Sequence, residues 1–181
     1  MDIYKLKFTR LQQEILRFLF INNGNSFNQR ALSKNLGVSP TAIAKSAVLL
    51  EKMGFIEIKR DKESRTNCIT LNYKNQRVFQ LKRAENLKMI YESGLSDFLS
   101  EEFPGSTIIL FGSYSKGEDT INSDVDISII GTKEKLVNLG KFEELLKKKI
   151  ILQFYPDFKG IHKNLKENIF NGIVLKGGVE L

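Results

Sequence analysis

The sequence predicts an α/β (α+β) chain of two units, residues 1–75 and residues 76–181. The first 75 residues hold 13 Lys and Arg against 6 Asp and Glu, whereas the remaining residues hold 15 of each. The net charge of +7 therefore lies in the first unit alone. The apolar pattern divides at the same place, because helices and a strand pair come first and strands around a Gly-Ser turn follow.

The composition limits the classes of protein. Hydrophobic residues make up 41% of the chain, enough for a packed core in one large domain or two small ones. No stretch approaches the roughly 18 apolar residues of a membrane span, and the N-terminus lacks the apolar core of a signal peptide. Cys68 is the single cysteine beside a single histidine, which disfavours a disulfide or zinc site. We expect a cytoplasmic protein with no membrane contact.

Three helices are expected in the first unit. The first covers residues 10–21, with Thr9 as its N-cap and apolar residues on one face. The second is predicted at Gln29–Leu36, and Gly37 supplies the tight turn after it. Ser39-Pro40 then opens the third helix, with serine as N-cap and proline at the first helical position.

Two strands, FIEIKR and CITL, follow the third helix around a polar tip at Asp61–Thr66. The tip is charged and has no apolar anchor, so we expect it to project as a wing. A helix, a glycine turn, a second helix and a hairpin make the plan of a winged helix-turn-helix. The run SPTAIAKSAVLLEKMGFIEIKRD resembles the recognition helix and wing of the MarR/ArsR-like regulators of bacteria and archaea.

That resemblance implies a DNA-binding surface, with the third helix in the major groove and the wing on phosphates. The candidate contacts are Thr41, Lys45 and Ser46 on the helix, and Lys59, Arg60, Lys62 and Arg65 on the wing. The positive charge of this unit favours DNA as a partner, bound by a symmetric homodimer. Two alternatives stay open: a protein-docking module, and a lysine-rich surface that serves solubility.

A long helical pattern enters the second unit over residues 76–103. Gly94 either interrupts this helix or divides it, and Pro104-Gly105 ends it. No flexible Gly/Ser/Pro linker precedes it. The helix therefore joins the two units, serves as a dimerisation helix, or does both.

A short buried strand at residues 107–111 leads into the turn GSYSKG. Glycine at position 112 lets a phosphate approach the backbone closely, and the hydroxyl of Ser113 with neighbouring N–H groups can donate to phosphate oxygens. A Gly-Ser pair after a strand also occurs in many loops that bind nothing. By itself this turn is a weak signal.

The next strand, DVDISII, places Asp124 and Asp126 on one face and β-branched residues on the core face. Carboxylates two residues apart lie about 6–7 Å from each other and repel by roughly 2–3 kcal/mol at an effective dielectric near 20. A divalent cation reverses that repulsion, and Mg²⁺ binds through one or two carboxylates together with substrate phosphates. The pair therefore suits a magnesium-nucleotide site more than a solvated strand face.

The run GSYSKGEDTINSDVDISII closely resembles the signature of the minimal nucleotidyltransferases of the DNA polymerase beta superfamily, archaeal type, over residues 85–181. The resemblance implies a small mixed sheet backed by helices. It implies that Gly112 and Ser113 bind the nucleoside triphosphate (NTP), and that Asp124 and Asp126 are catalytic and bind Mg²⁺ or Mn²⁺. Lys116 either adds a nucleotide contact or is a solvated loop lysine.

Active members of that family usually carry a third carboxylate on the next strand, which helps to activate the attacking hydroxyl. Here the strand is IILQF at residues 150–154, after a helix predicted at about 133–148 with a solvated basic face. Either Ile151 or Gln153 occupies the expected position, and Asp157 beyond the strand is a weak substitute. A final helix and closing strand are expected in NLKENIFNGIVLKGG.

Two functions are consistent with these residues. The resemblance implies a magnesium-dependent transfer of a nucleoside monophosphate to an acceptor, such as the HEPN-type toxin paired with an antitoxin of this kind. The missing third carboxylate instead favours a transcriptional regulator whose degenerate second unit only senses nucleotide.

Overall fold

The computed structural model of the chain describes residues 7–60 and 66–179. The chain divides into two compact units, Met1–Val78 and Phe79–Leu181. The division falls within a single helix, Gln76–Glu92. Among the described residues, no helix is both long enough and apolar enough to cross a membrane.

The first unit is a winged helix, as the sequence predicts. Its elements are α1 (Arg10–Ile21), β1 (Phe27–Asn28), α2 (Gln29–Leu36), α3 (Pro40–Lys52), β2 (Ile56–Arg60) and β3 (Asn67–Leu71). The strands form an antiparallel sheet in the order β1-β3-β2. Strand β1 was not predicted, because two residues are too few to show an alternating pattern.

Local capping chemistry determines where these helices begin and end. The Thr9 hydroxyl accepts from the N–H of Gln12, whose side chain in turn accepts from the N–H of Thr9. The Ser39 hydroxyl accepts from the N–H of Ala42 at 3.2 Å, with Pro40 as the first helical residue. Gly37 ends α2 with φ +65°, a left-handed conformation that glycine adopts without strain.

The second unit is a mixed four-stranded sheet with helices, the architecture that the resemblance implies. Its elements are α4 (Gln76–Glu92), α5 (Leu95–Glu102), β4 (Thr107–Phe111), α6 (Gly112–Lys116), β5 (Val125–Ile130), α7 (Gly140–Leu146), β6 (Ile150–Tyr155), α8 (Lys163–Phe170) and β7 (Ile173–Lys176). The strand order is β6-β5-β4-β7. Strands β5 and β6 are parallel, whereas β4 is antiparallel to both of its neighbours.

Two local predictions change with the structure, and one open alternative is decided. The helix expected at about 133–148 is wrong in its first half, because α7 begins only at Gly140. Leu136 is 95% exposed, so the preceding segment lacks a buried apolar anchor there. Gly94, with φ +75°, divides the entry helix into α4 and α5. The Gly-Ser turn is itself the short helix α6.

The sheet of the second unit is buried where the candidate site begins. Strand β4 is buried from its second residue onward, and Val125, Ile127 and Ile129 of β5 are fully buried, as alternation predicts. Ser128 is also fully buried, so the other face of β5 is covered along part of its length. Asp124 and Asp126 therefore lie at the one end of β5 whose polar face remains open.

Candidate functional site

The Gly-Ser turn and the second aspartate meet where β4 ends. In the antiparallel register Phe111 pairs with Asp126, so Gly112 follows directly beside that carboxyl group. A Cβ atom added at Gly112 would lie 2.4 Å from Asp126 Oδ2, closer than any real contact. The backbone at this position also has φ +74°, which favours glycine. Both the space and the backbone conformation therefore require glycine at position 112.

The two aspartates form an electrostatically strained pair. Asp124 is exposed and immediately precedes β5, while Asp126 is half-buried within it. Burial raises the pKa of the Asp126 carboxyl, and the nearby charge of Asp124 raises it further. A cation bound beside the pair would favour the ionised carboxylate and so offset both effects on the pKa of Asp126. The described residues contain no cluster of three or more His, Cys, Asp or Glu able to hold a metal ion.

The short helix α6 presents the remaining predicted residues. Ser113 is half-buried at its start, where the first N–H groups of a helix lack intrahelical partners. The Ser115 hydroxyl donates to the carbonyl of Gly112 at 2.8 Å, which fixes the turn. Lys116 is exposed, and its Nζ donates to Asn168 Oδ1 at 3.3 Å. Gly112, Ser113 and Asp126 thus lie together, whereas Lys116 is engaged by α8.

The first unit places its predicted residues on two surfaces. On α3, Thr41 and Lys45 are exposed and Ser46 is half-buried. Lys59 and Arg60 are exposed at the end of β2, where Lys59 forms an ion pair with Glu57. Lys62 and Arg65 lie outside the described residues. Helix α3 also exposes two apolar side chains that were not predicted: Val48 is 44% exposed and Leu49 is 51% exposed.

Residues 92–175 match the family model of the nucleotidyltransferase domain. This stretch is a nucleotidyltransferase domain. No curated relative matches the chain in sequence. The match confirms the nucleotidyltransferase family that the run GSYSKGEDTINSDVDISII resembles.

Solved structures show more distant similarity to the chain. A point mutant of Lactococcus lactis ZitR is 19% identical over 57% of this chain, with a TM-score of 0.42, and the alignment covers 65% of ZitR, slightly under two thirds. The adhesin competence repressor AdcR from Streptococcus pyogenes is 19% identical, over 54% of this chain and 69% of AdcR, with a TM-score of 0.40. MepR, a transcription regulator of the Staphylococcus aureus multidrug efflux pump MepA, is 18% identical, over 53% of this chain and 72% of MepR, with a TM-score of 0.40.

Ile151 and Gln153 on β6, the two positions expected for a third carboxylate, both lack a carboxylate group. In the parallel register of β5 and β6, Asp126 pairs with Ile151 and Ser128 pairs with Gln153. Ile151 is 39% exposed, and Gln153 Oε1 accepts from the hydroxyl of Tyr155 at 2.8 Å. Asp157 lies beyond the opposite end of β6 and accepts there from backbone N–H groups. It is therefore no substitute for the missing carboxylate.

Sequence reasoning missed a buried polar cluster in the nucleotidyltransferase domain. Asp119 is fully buried and is contacted by Lys82, Asn86 and Lys148, all of them buried. Lys148 belongs to the basic run that was expected to be solvated. One signal was available, since Lys82 and Asn86 share the helical spacing of the buried Val78 and Ile90 on α4.

Proposed function

We propose that the nucleotidyltransferase domain binds an NTP with Mg²⁺ or Mn²⁺ and transfers a nucleoside monophosphate to an acceptor hydroxyl. The observation that carries this proposal is the contact between Gly112 and the Asp126 carboxylate. The contact places the backbone turn at Gly112, which phosphates can approach closely, next to the Asp126 carboxylate, which can hold the metal ion of those phosphates. The family match over residues 92–175 supports the same reaction class.

The residues present fit a divalent cation. The Asp126 carboxyl, whose pKa is raised by burial and by the charge of Asp124, ionises more readily when a cation is near. Asp124 and Asp126 would hold the metal, and the backbone at Gly112 and the hydroxyl of Ser113 would contact the phosphates. When bound, the metal supplies charge neutralisation at the transferring phosphate. Lys116 would contact the nucleotide through an N–H donor that its hydrogen bond to Asn168 leaves unused.

In the transfer, the acceptor oxygen bonds to the α-phosphorus while the bond to the β-phosphate oxygen breaks and pyrophosphate leaves. The acceptor proton needs a base. Because Ile151 stands beside Asp126, that base comes from the acceptor or from solvent, and transfer is slow. We propose a partner protein of the HEPN type as acceptor, which would make this chain an antitoxin.

The test uses the whole chain with Mg²⁺, each α-labelled NTP in turn, and candidate acceptor proteins including a HEPN-type partner. Label transferred by the wild type and not by Asp124→Ala/Asp126→Ala supports the proposal. Equal labelling by the two proteins, or none by either, counts against transfer. Calorimetry of each NTP with Mg²⁺ then separates a binding domain without transfer from one that binds nothing.

The first unit is proposed to bind DNA as a symmetric homodimer. Thr41, Lys45 and Ser46 on α3 would meet base edges, and Lys59, Arg60, Lys62 and Arg65 would meet phosphates. The net charge of +7 in this part of the chain supports that assignment. If the dimer neutralises about six phosphates, the logarithm of the binding constant falls by roughly five per decade of salt. A binding constant independent of salt would remove this proposal.

A second candidate function is a regulator that senses nucleotide without transferring it. The missing third carboxylate, with Ile151 and Gln153 at the two expected positions, favours it. The discriminating measurement compares affinity for a DNA duplex with and without ATP and Mg²⁺. A change in affinity supports the sensor, and an unchanged affinity excludes it. An antitoxin that represses its own operon would combine both functions.

A further inference from the structure

The loop between α6 and β5, residues 117–124, ends in Asp124 and is held by buried charges. Asp119 within this loop is fully buried. Its Oδ1 accepts from Lys82 and, at 2.7 Å, from Asn86 Nδ2, while its Oδ2 lies 3.2 Å from Lys148 Nζ. Lys82 and Asn86 come from α4, and Lys148 lies just before β6. Three segments distant in sequence therefore meet at this one carboxylate.

Lys148 also binds the backbone on the N-terminal side of Asp124. Its Nζ donates to the carbonyl of Thr120 at 2.5 Å and to that of Ser123 at 3.4 Å. On the other side, the N–H of Val125 donates to the carbonyl of Lys149 at 2.8 Å. Both chain neighbours of Asp124 are thus tied to residues 148 and 149. The exposed side chain of Asp124 projects from a backbone that is held on each side.

Helix α4 connects this loop with the Gly-Ser turn. Asn86 Nδ2 donates to the carbonyl of Tyr114 at 2.9 Å as well as to Asp119. A Cβ atom at Gly117 would lie 2.4 Å from the carbonyl oxygen of Phe79, so the helix backbone packs directly on the loop. The same helix therefore supports the turn that holds Ser113 and the loop that ends at Asp124.

The charges of the cluster point to different roles for its two lysines. Two buried ammonium groups face one buried carboxylate, and either of them would suffice to balance it. Burial lowers the pKa of Lys82, against the opposing effect of Asp119. Lys82 makes its ion pair with Asp119, whereas Lys148 additionally donates to two loop carbonyls. Balancing Asp119 alone does not require Lys148.

We propose that Lys148 is a positioning residue for the metal-binding carboxylate Asp124, because its ammonium group ties the turn at residues 120–123 to the start of β6. Asp119, anchored by Lys82 and Asn86, is the counter-charge that keeps this ammonium buried. The inference rests on the proposed function in that Asp124 is taken as a metal ligand. Lys148 acts through the backbone and does not touch the nucleotide.

The experiment compares Lys148→Met with the matched variant Lys82→Met. Each removes one buried ammonium and leaves one ion pair on Asp119, so both variants are expected to fold with reduced thermal stability. Affinity for Mn²⁺ is measured by electron paramagnetic resonance in the presence of α,β-methylene-ATP. Amide hydrogen exchange at residues 120–125 is measured without metal or nucleotide. Lys148→Gln, which keeps a donor and loses the charge, replaces Lys148→Met if that variant does not fold.

We expect Lys148→Met to weaken Mn²⁺ binding about tenfold, as loss of an outer-shell partner does, and to speed exchange at residues 120–125. Lys82→Met should leave both the Mn²⁺ affinity and the exchange rate at residues 120–125 near their wild-type values. Equal effects of the two variants, or wild-type values in Lys148→Met, would overturn the proposal. If the wild type binds no Mn²⁺ with the nucleotide analogue, the metal function fails, and the exchange comparison alone decides whether Lys148 positions the turn.

Discussion

Replacing Gly112 by alanine should damage the candidate site more than it damages the fold. The new methyl group would lie 2.4 Å from Asp126 Oδ2, whereas ordinary van der Waals contact begins near 3.4 Å, so the carboxylate must retreat by roughly 1 Å. A misplacement of about 1 Å in a catalytic group costs on the order of 10²-fold in rate. The positive φ at this position adds a strain of about 1–2 kcal/mol to the folded state.

The matched control is Gly94→Ala. Gly94 has φ +75°, almost the same as the +74° of Gly112, and a Cβ atom there meets nothing within 4 Å. Both variants should lose similar thermal stability from backbone strain. Only Gly112→Ala should slow NTP-dependent transfer, by about 100-fold. Only this variant should also weaken the affinity for the Mn²⁺-nucleotide, by at least about tenfold. Equal losses in the two variants would show that the contact with Asp126 is irrelevant to nucleotide binding and transfer.

Three other substitutions test separate parts of the structure. Ile151→Asp adds a carboxylate beside Asp126 and should raise the transfer rate about 10- to 100-fold through base catalysis. Gln153→Asp, two residues further along the strand, should not raise it, and equal gains from the two variants would contradict the importance of pairing with Asp126. The folded protein favours the neutral form of Asp126, so without metal its contribution to stability is present at acidic pH and lost as the pH rises through its raised pKa. Asp126→Asn should therefore raise the melting temperature at neutral pH and not at acidic pH, and a uniform effect across pH would contradict this assignment. Arg60→Ala should weaken binding to a random-sequence duplex and lower the salt slope by about two, one phosphate contact in each subunit of the dimer, whereas Lys34→Ala on α2 should do neither, as measured by fluorescence anisotropy.

Local signals were sufficient where neighbouring residues determine the structure. Thr9 and Ser39-Pro40 cap their helices through contacts within four residues, so the sequence predicted where α1 and α3 begin. The candidate site is partly of this kind, since the Gly-Ser turn and the Asp-x-Asp strand lie close together in sequence. Their direct contact depends on the register that pairs Phe111 with Asp126, and spacing alone does not specify it.

The predictions that failed depended on contacts distant in sequence. The sequence placed Lys148 in a solvated basic run. In the structure its ammonium group donates to the carbonyl of Thr120 and pairs with Asp119, nearly 30 residues earlier in the chain. The helix expected from about residue 133 does not form there, because Leu136 remains exposed and has no tertiary partner. Hydrophobic spacing indicates which segments can be helical, and packing decides which of them are.

Calorimetry of ATP binding decides whether the contact between Gly112 and Asp126 belongs to a metal-dependent nucleotide site. The titration is performed on the wild type with Mg²⁺, on the wild type with a chelator, and on Asp126→Ala with Mg²⁺. We expect one nucleotide per chain in the first case and at least tenfold weaker binding in the other two. Nucleotide affinity unchanged by removing either the metal or the carboxylate would show that this contact does not form a metal-dependent nucleotide site.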